Sequence, residues 1–334
     1  MPQVNATIEG IVLYCDDSLD GFSLGNGYTI HKQFLEDLSF KERITDGRGK
    51  LTINYLGSQQ QDDTGRIYFL CVRKDDTFTV QQSFGSRVVL TDSDLLCTEQ
   101  LESYMDQETS YLNLIFTLLH VFKEGNIGYK ELFITQKFSM GILNNTNYQT
   151  SDNVTRNIVD SRIYALSDSE KADCQNFIRK HNSRSSELLR NCLNEFVWGL
   201  EQTDHATGFE QFTTALEMTL LAQNQQGKKQ VLSKRVAVLL SATPADTTAL
   251  YNKMLAFYRY RSESLHEGEE QNITESELHE LEGIVRSVMQ KYLDFCLAEV
   301  TVNPALTWDD IKAKKINDLK NSVQAAIASG VLPA

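Results

Sequence analysis

The sequence predicts an α+β chain of more than one domain, β-rich at its N-terminal end and all-helical at its C-terminal end. Three observations predict it. Alternating β-prone runs, separated by Gly, Asp, Asn and Ser, fill roughly the first 145 residues. Apolar residues at helical spacing begin after Ser167 and persist. Between the two lies a polar, turn-rich stretch with Asn144, Asn145, Asn147, Ser151, Asp152 and Asn153. A length of 334 residues suits two domains better than one. The expected division is residues 1–150, residues 160–300 and a helical tail over residues 301–334.

The first domain opens with a β-prone run over residues 6–14, which breaks at Cys15, Asp16 and Asp17. Gly21, Gly25 and Gly27 punctuate short segments around Phe22 and Tyr28, and are expected to serve turns. Residues 51–56, 66–72 and 78–80 alternate as strands do. A helix is expected near residues 93–106. Residues 111–122 fit a strand or a buried helix equally, because a continuous apolar run carries no period.

In the second domain, Ser167 followed by Asp168 and Glu170 is an N-terminal helix signal. Leu188, Leu189, Cys192, Leu193, Phe196 and Val197 make one apolar stripe, and residues 209–220 make a second helix. Residues 223–229 form a polar break, and residues 231–240 a third helix that cannot continue through Thr243-Pro244. A fourth is expected over residues 246–266, with Gly268 as its C-terminal stop. Thr274, Glu275 and Glu277 start a fifth, with Leu278, Leu281, Val285, Val288, Met289 and Tyr292 on one side. An amphipathic stretch over residues 308–328 completes the chain.

Composition narrows the function classes. The six cysteines include no CxxC pair, which argues against zinc-ribbon and thioredoxin chemistry and fits a reducing cytoplasm. No basic region followed by an apolar run opens the chain, so no secretory leader is expected, and no apolar run approaches the roughly 20 residues that span a bilayer. GxxxxGK[ST], HExxH and GxSxG are absent. No metal and no cofactor is expected. The net charge of −13 supplies no overall basic footprint, so any handling of RNA rests on a local patch.

The informative stretch runs from Tyr258 to Gly268. Leu250, Met254, Phe257, Tyr258, Arg261 and Leu265 follow the stepping of a packed helix face. Arg261 thus sits on or beside an apolar stripe, where a guanidinium needs an anion or a dipole as partner. His266 lies five residues on, about 140° round the helix. A shared cavity for the two must therefore lie at the helix end or between helices.

This stretch resembles the ApeA-like branch of HEPN domains, helical bundles that carry Arg-x(4–6)-His near the end of a long helix. Arg261 to His266 has the four-residue spacing. Phe212-Thr213-Thr214-Ala215-Leu216-Glu217 resembles the family's "ALE" helix, and residues 232–240 resemble its "KRVA-LL" helix. The resemblance covers roughly residues 170–298 and implies a metal-independent endoribonuclease, often an antiphage toxin acting through abortive infection. It implies Arg261 and His266 as catalytic residues. Ser262, Glu263, Glu217, Lys234 and Arg235 are implied as supporting residues, although an intra-bundle salt bridge explains the last three equally. Lys253, Tyr258 and Arg259 would guide RNA by charge and stacking, and a solvated helix face also explains the two cations.

Further expectations are a substrate among tRNA or mRNA, a homodimer through the HEPN helices, an N-terminal sensor answering a phage-derived trigger, no membrane, and a cytoplasmic location. The chemistry suits the residues: an imidazole moves the proton of the ribose 2′-OH, and a guanidinium holds the phosphate. Two alternatives remain: a non-catalytic HEPN module that binds nucleotide or protein, and an interaction protein whose motif only pins a dimer.

Overall fold

A computed structural model describes residues 3–52, 58–79, 98–138, 144–148, 162–267 and 273–334. The fold is α+β, with a β-rich N-terminal region followed by a helical C-terminal region. Two compact units result: residues 1–119, 125–155 and 161–179, and residues 120–124, 156–160 and 180–334.

In the first unit, β1 (Gln3–Leu13), β2 (Ser23–Gly25), β3 (Tyr28–Phe34), β5 (Ile67–Thr79), β7 (Phe133–Phe138) and β8 (Asn144–Tyr148) form a sheet in the order β2-β3-β5-β1-β7-β8. The short strands β4 (Gln60–Gln61) and β6 (Gly128–Tyr129) pair with β5 and β1, and each strand pairing is antiparallel. Tyr68, Phe69, Leu70, Cys71 and Val72 are buried in succession, so both faces of β5 are covered. One face packs Phe69 and Cys71 with Ile11, Leu13, Phe133 and with Phe40 and Ile44, which flank and close the short helix α1 (Lys41–Ile44). The other meets α2 (Thr98–Phe122): Glu108 pairs with Lys74 at 2.8 Å, and the ring of Tyr111 stacks on Tyr28. Residues 111–122 are thus helix, buried nearly all round. Gly21, Gly25 and Gly27 hold φ of 75°, 83° and 82°, and a Cβ at Gly25 would lie 2.8 Å from the Tyr111 hydroxyl.

The sequence at about residue 150 marks a polar break, but the first unit continues beyond it. Tyr164 N–H donates to the Tyr14 carbonyl at 2.8 Å, and Leu166 N–H to Ser18 Oγ at 2.9 Å. Helix α3 (Asp168–His181), started by Ser167, therefore counts with the first unit except for its last two residues. The strand expected over residues 51–56 lies mostly outside the described residues, as do Val80 and Gly268.

The second unit contains α4 (Arg184–Leu200), α5 (His205–Leu220), α6 (Lys228–Leu240), α7 (Pro244–Glu267), α8 (Glu275–Val302) and α9 (Trp308–Ala328). Side-chain caps fix their starts. Asp204 accepts from Thr207 N–H before α5, and capping boxes of Thr274 with Glu277 and of Thr307 with Asp310 open α8 and α9. Pro244 opens α7 rather than merely ending α6, as a residue without an N–H suits the first helical position. Helix α4 packs on α5 and α8, and α6 packs on α7 and α9. The stretch expected as a separate tail is therefore part of this unit. Gly199 is required where α4 meets α5, because a Cβ there would lie 2.5 Å from the Phe212 ring. Gly199→Ala is expected to cost about 1–3 kcal/mol by overpacking, read from urea unfolding.

His181 is fully buried in this unit, with Nε2 3.2 Å from Asp294 Oδ1. Burial lowers its pKa, against the pull of Asp294 and with the push of Lys180. The unfolded state therefore binds more protons, so this contribution is complete above the ordinary histidine value of about 6.5 and is lost as pH falls below it. His181→Gln is expected to flatten the fall in urea midpoint between about pH 6.5 and 5. An unchanged slope would assign that fall to the carboxylates.

Candidate active site

Helix α7 spans 24 residues and carries both parts of the Arg-x4-His motif. Its described part confirms the packed face. Tyr251, Met254 and Phe257 are buried and Tyr258 is half-buried, while Lys253 and Arg259 are exposed. Arg261 follows four residues after Phe257, and His266 stands one residue before the helix ends at Glu267. The side chains of Arg261, Ser262, Glu263 and His266 lie outside the described residues. Along the backbone, the Arg261 and His266 positions are about 7.5 Å apart in rise.

The surrounding residues are held as follows. Aromatic packing fixes α7 on α5: the Phe209 ring meets Phe257 edge-on at 5.4 Å and Tyr260 at 6.2 Å. Glu217, in the last turn of α5 and with its side chain 12% exposed, accepts from the Tyr258 hydroxyl at 2.7 Å and from Lys228 Nζ at 3.1 Å. One expected supporting residue and one expected RNA-guiding residue are thus bonded to each other, one turn before Arg261. Tyr260 makes a parallel tie, donating to Glu277 Oε1 at 3.0 Å at the start of α8. That bond and those from Thr274 hold the Glu277 carboxyl below the usual carboxylate range, the Thr274 backbone N–H acting most strongly.

Three other expected residues sit differently. Arg235 points into the bundle, is 3% exposed, and donates to the carbonyl of Leu220 at the end of α5. Its described contact is therefore a helix cap, which is neither the intra-bundle salt bridge nor a contact with Glu217. Lys234 is half-buried on α6 and makes no ion pair among the described residues. Lys253 pairs with Glu280 of α8, and the Arg259 guanidinium lies 5.9 Å from the Tyr260 ring centroid.

Sequence reasoning missed Lys228 and the Tyr260–Glu277 bond. Lys228 falls in what reads as a polar break, and its role appears only when α6 turns back from Gly227 at φ 61°. Tyr258→Phe is expected to lower stability by about 1–2 kcal/mol through loss of its bond to the charged Glu217, measured by urea unfolding. Among the described residues no group of three or more His, Cys, Asp or Glu is placed to hold a metal ion. No helix there is long and apolar enough to cross a membrane.

No protein-family model matches the chain. No curated protein and no solved structure matches it either.

Proposed function

We propose that the chain is a metal-independent endoribonuclease of the HEPN type, with Arg261 and His266 as its catalytic residues. One juxtaposition carries this reading. The Arg-x4-His motif occupies the last turns of α7, and Tyr258, one turn earlier, is bonded to Glu217 of the helix that the resemblance also singles out. His266 takes the proton of the ribose 2′-OH. The 2′-oxygen attacks phosphorus, the bond to the 5′-oxygen breaks, and an imidazole returns a proton to that oxygen. Arg261 holds the phosphate and stabilises the charge that builds on its oxygens. The products are a 2′,3′-cyclic phosphate and a 5′-hydroxyl.

A homodimer through the helical units would combine two Arg261–His266 pairs in a composite site. The β-rich unit acts in this proposal as the sensor of a cytoplasmic antiphage effector that cuts tRNA or mRNA after a phage-derived trigger. The second reading, a non-catalytic module that binds nucleotide or protein, is mildly favoured by the net charge of −13 and disfavoured by the intact Arg261 and His266, which a pure scaffold does not need.

The two readings separate on one substrate comparison in EDTA: an RNA and its 2′-O-methyl counterpart. The nuclease cuts the first and leaves the second intact, because the methylated oxygen has no proton to give. Cleavage of both would contradict the mechanism. Binding of both without cleavage would favour the binding module.

A further inference from the structure

Side-chain ties bracket the turns that carry Arg261 and His266. Before them, Tyr258 donates to Glu217 Oε1 of α5 at 2.7 Å, and Tyr260 donates to Glu277 Oε1 of α8 at 3.0 Å. After them, the carbonyl of the buried Ile273 lies 3.0 Å from His205 Nδ1 at the start of α5. The Glu277 carboxylate is itself fixed by the cap of α8: its Oε2 accepts from the Thr274 N–H at 3.0 Å and from the Thr274 hydroxyl at 2.8 Å. The Tyr260 ring is held as well, edge-on to Phe209 of α5 at 6.2 Å. Residues two apart on a helix stand about 200° apart, so Tyr258 and Tyr260 leave α7 on nearly opposite sides. Two such bonds resist a roll of α7 in either direction. The buried Met254 and Phe257 hold α7 in the bundle but do not set its roll, because apolar contact is non-directional, whereas hydrogen bonds are directional.

We infer that Tyr260 and Glu277 are positioning residues for the Arg261–His266 chemistry and, with Tyr258 and Glu217, lock the roll of α7, an inference that rests on the nuclease reading above. The bond acts through the backbone. Helix α7 is continuous from Tyr260 to Glu267, so the roll fixed at Tyr260 passes to the turns that follow. A roll of about 10° moves an atom about 6 Å from the helix axis by about 1 Å. A misplacement of about 1 Å at reacting groups costs about 10²-fold in rate.

The test is Tyr260→Phe in the full chain, which keeps the ring against Phe209 and removes the bond to Glu277. Amide hydrogen exchange reads the tie without any cleavage. The variant is expected to exchange about tenfold faster or more over residues 261–267, as loss of one bond to a charged group implies, with α4 unchanged. Single-turnover cleavage of a short labelled RNA is expected to slow about 10–10²-fold, with little change in the half-saturating RNA concentration. A merely structural role would leave the rate of the folded protein as it was. In an Arg261→Ala background the same substitution should add little, because it acts through the motif. Far-UV circular dichroism confirms that the variants fold. A parent that cuts no RNA counts against the nuclease reading alone, and the exchange result then decides whether Tyr260 holds the turn. The inference is overturned if exchange over residues 261–267 is unchanged, or if the parent cuts RNA and Tyr260→Phe cuts it as fast.

Discussion

His266→Ala is expected to slow RNA cleavage by about 10²–10⁴-fold, the span that positioned proton transfer supplies. Arg261→Ala is expected to slow it by about 10²–10³-fold through lost stabilisation of charge on the phosphate oxygens. In the proposed mechanism both side chains serve one transition state, so the double variant should fall little below the worse single one. Single-turnover cleavage of a short labelled RNA measures all three. The parent should also lose rate as pH falls and imidazole becomes protonated, and the residual rate of His266→Ala should lack that dependence. Two single losses that multiply in the double variant would mean that the residues act at separate steps or separate places.

Glu282→Ala is expected to be the most damaging single change away from the motif, costing about 3–5 kcal/mol. Glu282 and Arg286 stand one turn apart on the buried face of α8, among Leu278, Leu281, Val285 and Met289. The Glu282 side chain is 2% exposed and that of Arg286 10%. Within the second unit, Arg286 Nε also donates to the His120 carbonyl at 2.8 Å, and its guanidinium lies 5.9 Å from the Phe196 ring centroid. Removing the carboxylate leaves a buried guanidinium with, among the described residues, one carbonyl and one ring face, too little to replace its water. Replacing both residues, as in Glu282→Leu with Arg286→Met, should cost much less, since an apolar pair removes the desolvation penalty along with the attraction. Urea unfolding of the single and double variants closes the cycle. A Glu282→Ala loss no larger than that of the double variant would show that the pair is solvated.

The helical half was the more legible part of the sequence, because its helices carry their starts in local chemistry. Thr274 and Glu277 stand three apart and form the capping box their types suggest, and the amphipathic stretch from Trp308 to Ala328 coincides with α9. The β-rich half was less legible. Asp75 and Asp76 look like a turn between two short strands, yet they lie inside one strand, β5. Thr7 donates to Asp75 at 2.6 Å and Tyr104 to Asp76 at 3.1 Å, so distant partners make those carboxylates compatible with the strand. Residues 111–122 had no legible period because Leu112, Ile115, Phe116, Leu118, Leu119 and Val121 are all buried. At the candidate site, sequence located Glu217 and Tyr258 without showing that they bond to each other. Nor could it say which of Lys234 and Arg235 turns inward, since neighbours on a helix differ by about 100° and only the packing of α6 decides. The boundary near residue 150 marked a change in composition, whereas Tyr164 and Leu166 return the later chain to the first unit.

The most direct test is incubation of the purified full-length chain with total tRNA and with mRNA in EDTA, beside Arg261→Ala and His266→Ala, followed by analysis of the product ends. Cleavage by the parent alone, leaving 2′,3′-cyclic phosphate and 5′-hydroxyl ends, is the predicted result. Equal cleavage by all three proteins, or products with 5′-phosphate ends, would contradict the assignment of Arg261 and His266.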